Sequence, residues 1–163
     1  SLYASAKLSA YHILRSLARR DGVDFVWARL FHVHGRGEAE DRLLPTIVRS
    51  IREGQPFNLT SGLQARDHLD VDDVGAGLGR LVNSSAVGTF NLCSGRPVLL
   101  REVVWTLAEI VGRGDLLCFG AVSGDDATPQ FLVGNPSRLL AIGWQPAATN
   151  LRASLQSAYW GAA

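Results

Sequence analysis

Phe25-Val26-Trp27-Ala28-Arg29-Leu30-Phe31 is the stretch on which the fold turns. It is a near-continuous apolar run, rich in β-branched and aromatic side chains, with turn residues on either side. A strand with one wetted face alternates apolar and polar residues, whereas a run of this kind reads as a strand covered on both faces. Upstream, from Tyr3 to Arg20, residues Leu8, Tyr11, Ile13, Leu14, Leu17 and Ala18 recur at three- and four-residue steps, and Asp21-Gly22 supplies a stop. That spacing predicts an amphipathic helix of about five turns. A helix followed closely by a buried strand is half of a βαβ unit, so the expected class is α/β, a parallel sheet covered by helices.

Working outward, His34-Gly35-Arg36-Gly37 reads as a loop and Leu43 to Glu53 as a helix stopped by Gly54. Pro56 to Leu59 and Ala65 to Leu69 are short strand candidates around a Ser61-Gly62 turn. Asp70 or Asp72 is placed to cap a helix running through Val82, where a carboxylate also complements the N-terminal dipole. Gly88-Thr89-Phe90-Asn91-Leu92 is a second sheet strand. Leu100 to Val111 is helical, Leu116 to Phe119 a strand, Pro136 to Ala141 a short helix, and Thr149 caps a last helix from Leu151 to Trp160. Only the runs at 25–31 and 88–92 have the character of central parallel strands, so the remaining strands of a doubly wound sheet are expected upstream of Ser1.

The chain has 163 residues, 47% hydrophobic and 19% charged, which fits one soluble globular unit. Sixteen basic against 15 acidic residues leave a net charge of +1, too little for sequence-independent attraction to nucleic acid. Its apolar runs break well before the ~20 residues that a bilayer span needs, and no secretory segment opens the chain. Cys93 and Cys118 are too few and too isolated for a disulfide framework or a zinc knuckle, and are expected as reduced, packed thiols of a cytoplasmic protein. Trp27, Trp105, Trp144 and Trp160 sit in apolar patterns and are expected in the core.

Lys7 is the only lysine beside fifteen arginines. It lies four residues after Tyr3, on the same helix face and about 6 Å along the axis. A nearby cation favours phenolate, which brings a phenol toward the range where it can carry protons at neutral pH. The same spacing also arises by chance on a solvated helix face.

The order of the motifs that follow decides between these readings. Tyr3 and Lys7 match a YxxxK pair. Ala28-Arg29-Leu30-Phe31-His32-Val33-His34-Gly35-Arg36-Gly37 looks like an RxFNVYGPG strand and loop. Gln64-Ala65-Arg66-Asp67-His68-Leu69-Asp70-Val71-Asp72-Asp73-Val74 looks like QxRDFxxVxDV, Thr89 to Gly95 like YNIGSG, and Leu140 to Pro146 like an LGWxP turn. With these five signals in order, nearly the whole chain resembles the C-terminal half of the extended short-chain dehydrogenase/reductases, the NAD-dependent epimerase/dehydratase group that modifies nucleotide sugars.

The resemblance implies the last two main strands of a Rossmann-like parallel sheet plus a small α/β substrate-binding lobe, with residues 1–163 lacking the N-terminal dinucleotide-binding half. It implies NAD or NADP as cofactor and a nucleotide-diphosphate sugar as substrate. Tyr3 would exchange a proton with the sugar while hydride passes to or from the nicotinamide, and Lys7 would hold the nicotinamide ribose and lower the Tyr3 pKa. Leu30, Phe31 and His32 would lie beside the nicotinamide, with His32 also facing the substrate. Arg66 would contact the substrate diphosphate, a role that suits the planar guanidinium fork; the plainer reading of Arg66 is a surface ion pair with Asp67 or Asp70. A homodimer through the 3–20 helix is a further family expectation.

Several departures stand beside this resemblance. His32 and His34 occupy positions where the family usually has Asn and Tyr, and imidazole titrates near neutrality. The segment Phe119 to Asp125, with Ser123-Gly124, offers no arginine to clamp a second phosphate. No GxxGxxG turn after a strand occurs, nor the Ser or Thr that partners the tyrosine. A non-catalytic remnant or interaction module of the same fold is therefore the alternative to an enzyme acting as part of a longer chain. His32 and His34 also form an HxH pair. Zinc needs three or four convergent ligands, and only Asp67 and His68 are candidates to join it, so no metal is assigned. Asp70, Asp72 and Asp73 are read as caps and solvated carboxylates.

Overall fold

The computed structural model describes residues 1–124 and 129–161. It opens with helix α1 (Leu2–Asp21), which is capped by the Ser1 hydroxyl and stopped by Gly22 in the left-handed conformation. Strand β1 (Val26–Leu30) follows, then β2 (His32–His34), α2 (Leu43–Arg52), β3 (Phe57–Leu59) and β4 (Ala65–Asp70). Next come α3 (Val71–Val82), β5 (Gly88–Leu92), β6 (Pro97–Leu99), α4 (Leu100–Glu109), a 3-10 turn (Gly114–Leu116) and β7 (Leu117–Phe119). The last elements are β8 (Phe131–Leu132), α5 (Ser137–Ala141) and α6 (Leu151–Tyr159).

β1 and β5 pair in parallel, Val26 opposite Gly88 through Leu30 opposite Leu92, with α3 on the path between them. This is the expected parallel pair of a Rossmann-like sheet. β2 leaves that pair to lie parallel to β4, which also holds β6 antiparallel and β8 parallel. β3 pairs with β7, not with β4, so the Ser61-Gly62 turn joins strands of two different sheets.

Two cores divide the molecule. One lies under the parallel pair, where Leu69, Val74, Leu81, Phe90, Leu92 and Trp144 are buried together. The other joins α2, α4 and α6 through Ile47, Val48, Val103, Leu107 and Leu155, and forms the small lobe. α2 shows why: Leu44, Ile47, Val48 and Ile51 fall on one stripe at helical spacing and all are buried.

The structure corrects three expectations, those of the 25–31 run, the α6 cap and the tryptophans. The 25–31 run is not covered on both faces, because Arg29 and Leu30 are exposed and β1 has only β5 as a strand partner among the described residues. No residue of α1 is fully buried: Tyr11 packs against Phe25 and Trp27, with ring centroids 6.2 and 5.4 Å away, while Leu8, Ile13, Leu14 and Leu17 stay exposed. The cap of α6 is Asn150, whose side chain accepts the Ala153 N–H, and not Thr149. Trp144 is a core residue, but Trp105 is 48% exposed.

Candidate active site

β1 ends at Leu30, and the chain crosses from the β1/β5 pair to β4 within two residues. Phe31 still donates its N–H to the Leu92 carbonyl, and His32 already lies opposite His68 on β4. Such a divergence at the carboxyl ends of parallel strands opens a crevice, which is where open α/β sheets bind ligands. A cavity of about 1010 Å³ occupies it. Its wall runs from Arg29, Leu30 and Phe31 through His32 and His34, along the loop that carries Arg36 and Arg42, to the first turn of α2. The loop passes close under α3: a Cβ on Gly35 would overlap the Val71 side chain, so only glycine fits there.

The cavity wall is cationic. Arg29, Arg36 and Arg42 line it against a single carboxylate, Glu38, among the described residues. It is also rich in imidazole. Register brings His68 alongside His32, with ring centroids 5.7 Å apart, and His34 lies 6.2 Å from His68. Burial lowers the pKa of all three. For His32, Arg66 adds to the effect; His68 falls to about 3 because two neighbouring histidines and Arg66 join its desolvation. The lowering favours the neutral, hydrogen-bonding form of each ring. Among the described residues no three His, Cys, Asp or Glu side chains are arranged to hold a metal ion.

His34 has a defined tautomer. Ser154 on α6 donates its hydroxyl to the Asp70 carboxylate, which can only accept, so its oxygen accepts from His34 Nε2 at 2.8 Å. His34 Nδ1 is then the bare nitrogen; it and His68 Nε2 are buried and have no hydrogen-bond partner among the described residues.

Arg66 is 6% exposed and donates to the Ala65 carbonyl at 2.9 Å. The ion pair with Asp67 or Asp70 does not form, because both carboxylates are committed elsewhere. Asp67, fully buried, accepts from Ser94 N and Oγ at 2.7 Å each, from Gly95 N at 2.9 Å and from Gly134 N at 3.1 Å. Asp70 caps α3 through the Asp72 N–H and receives the Ser154 hydroxyl. Asp73 is not solvated either: it is buried and accepts from Ala147 N at 2.7 Å and Ala148 N at 3.0 Å. The buried Cys93 thiol, beside Asp67, is pushed up to about 12 by desolvation first and by that carboxylate second.

Tyr3 and Lys7 are brought together, with Lys7 Nζ 5.6 Å from the Tyr3 ring centroid. Both side chains are exposed, Tyr3 to 72%, and neither is on the cavity wall, whereas Leu30, Phe31 and His32 are. Arg66 lies buried on β4 and is not among the residues of that wall. Arg36 and Arg42 were not singled out from sequence, because the loop arginines have no periodicity to betray them; His68 is read there only as a candidate to join the HxH pair, and the alternation of β4 puts it on one face with Arg66. Ser123 and Gly124 carry no cationic side chain, as read, and Asp125 lies outside the described residues.

A parallel β-pair with a crossover helix, opening at its carboxyl ends into a cationic crevice, defines a Rossmann-like α/β protein with a candidate site at the strand ends. The chain belongs to the NAD dependent epimerase/dehydratase family, whose model matches residues 1–93. It is 32% identical over 136 residues to the CDP-abequose synthase of Salmonella typhimurium, covering 79% of this chain and 46% of that protein. It is 30% identical over 120 residues to the GDP-6-deoxy-D-mannose reductase of Pseudomonas aeruginosa, covering 66% and 38%. In fold it matches a UDP-N-acetylglucosamine 4-epimerase from Methanobrevibacter ruminantium in complex with UDP-N-acetylmuramic acid, with a TM-score of 0.90 at 20% identity, over 99% of this chain and 53% of that one. The UDP-glucose 4-epimerase of Thermus thermophilus in complex with NAD matches with a TM-score of 0.86 at 21% identity, over 99% and 53%. The chain thus spans about half the length of the relatives it matches.

Proposed function

We propose that this chain is the substrate-side part of an NAD(P)-dependent epimerase, dehydratase or reductase acting on a nucleotide-diphosphate sugar, and that it works within a longer polypeptide. The observation that carries the reading is the cationic cavity at the end of β1, walled by the strand and loop that hold the family's motif. Three guanidiniums against one carboxylate suit a diphosphate. The wall at Leu30 and Phe31 is apolar, as a flat nicotinamide requires, and the ammonium beside the Tyr3 phenol is a donor set for ribose hydroxyls, so the residues present fit the nicotinamide end of a dinucleotide. When bound, that cofactor supplies the hydride.

On this reading Tyr3 Oη takes or returns the proton of the reacting sugar hydroxyl, and Lys7 holds a ribose hydroxyl and keeps a positive charge beside the phenol. Leu30 and Phe31 exclude water from the ring face. His32 offers the substrate a neutral imidazole, and Arg66 backs the phosphate side with a buried positive charge. The apolar stripe of α1 packs against a second copy of the protein.

A second reading, a non-catalytic module of the same fold, is favoured by one observation: Tyr3 and Lys7 stand exposed and off the cavity wall. Tyr3→Phe in the intact protein separates the two. As an acid/base, Tyr3 is worth about 10²–10⁴ in kcat, so the variant loses that much turnover while dinucleotide binding, read by fluorescence titration, stays within about twofold. Turnover equal to that of the parent removes Tyr3 from the chemistry.

A further inference from the structure

The loop from Gly35 to Arg42 is a partition between two cavities. Its front face, with Arg36 and Arg42, lines the large cavity; its rear face, with Glu40, lines a second one of about 340 Å³ bounded by Arg49, Arg52 and Tyr159. Glu38 lies on the wall of both. The partition is one chain segment thick and begins at two glycines, Gly35 and Gly37, both at positive φ, while space lies behind it. Something must hold it forward.

The far end of the loop is held by Thr46 of α2, whose hydroxyl donates to the Glu40 and Arg42 carbonyls at 3.2 and 2.7 Å; its middle is met across the rear cavity by the Tyr159 hydroxyl, at the end of α6, which donates to the Glu38 carboxylate. Burial first, and that carboxylate second, keep the phenol above its ordinary range, so it remains a donor at any physiological pH. The Tyr159 end is itself anchored, because Arg52 of α2 donates to the Tyr159 carbonyl at 2.6 Å and stacks 5.1 Å over the Trp160 ring. Five residues earlier on the same helix, Ser154 fixes His34 at the base of the loop. α6 therefore reaches the cavity wall at two points, neither through a residue that lines the large cavity.

We infer that Tyr159 is a positioning residue: through Glu38 it holds the 35–42 partition forward so that Arg36 and Arg42 face the substrate cavity. Its consequence for substrate rests on the function proposed above; the tether itself does not.

Two measurements keep these apart. In hydrogen exchange on the intact protein, Tyr159→Phe should speed exchange of the 35–42 amides about tenfold, the scale of one hydrogen bond to a charged group, with α2 and α4 amides unchanged. In steady-state kinetics with the nucleotide sugar, KM should rise about tenfold with kcat held, because a lost orientation of binding groups is lost uniform binding. In exchange, Glu38→Gln, which keeps an acceptor oxygen, should stay close to the parent over 35–42, and Glu38→Ala should match Tyr159→Phe with no further loss in the double variant. Exchange in 35–42 equal to the parent's overturns the tether. Faster exchange with an unchanged KM overturns the positioning role, and faster exchange in a protein that turns over no nucleotide sugar, before or after substitution, overturns the enzymatic reading while the tether stands.

Discussion

Asp67 collects four hydrogen bonds from three backbone N–H groups and one hydroxyl in a site with no water access, and so ties β4 to the turn after β5 and to the segment before α5. An amide in its place keeps one acceptor oxygen and turns an NH₂ toward N–H donors that then go unmet. Asp67→Asn should cost about 3 kcal/mol, read as a lower urea midpoint at constant slope; an unchanged midpoint would show that the carboxylate is dispensable. His68 makes a prediction in pH. Its folded pKa, near 3, lies below the ordinary 6.5, so the unfolded chain takes up a proton that the folded one refuses. Stability is then full above about pH 6.5 and falls as pH drops from there toward 3. Between pH 7 and 5, before most carboxylates titrate, the fall should be shallower in His68→Asn. Arg66 was singled out as a site candidate by the order of motifs, but its burial follows from the pairing of β4 with β2, β6 and β8, which no local pattern encodes.

Elements with a local signature were legible and those with a tertiary one were not. The helix at 43–53, its stop at Gly54 and a cap at Asp70 or Asp72 are written within a few residues; the helix runs over Leu43–Arg52, Gly54 follows it at positive φ, and Asp70 is the cap. β6 and β8, three and two residues long, are too short for any period to show, and exist because β4 offers them hydrogen bonds. Likewise the 25–34 stretch contains two strands where its composition suggests one, since the break at Phe31 is made by the choice of partner, β5 before it and β4 after. α6 starts at Leu151 as expected, but its cap is Asn150 and not Thr149, since both residue types are good caps. Asn150→Ala should cost about 1 kcal/mol in thermal or urea unfolding, whereas Thr149→Ala should stay within about 0.5 kcal/mol; the opposite order would restore the threonine as the cap.

At the scale of the molecule, the parallel pair and the α1 stripe are both half-finished surfaces. Ile13 is 60% exposed and Leu8 55%, on a helix with no buried residue, and β1 has an unpaired edge among the described residues. Such edges and stripes recruit partners. The 163-residue chain alone should therefore self-associate in sedimentation velocity, and Ile13→Lys with Leu14→Glu should raise its monomer fraction; a monodisperse parent that unfolds cooperatively contradicts this. The same chain carries its own clock for such disturbances. Cys93 sits in the Asp67 knot as an almost unionisable sulfhydryl, while Cys118 has no such confinement. Alkylating reagents should mark Cys118 first and reach Cys93 only when the knot comes undone, so the lag between the two adducts times the loosening of the sheet without any added label.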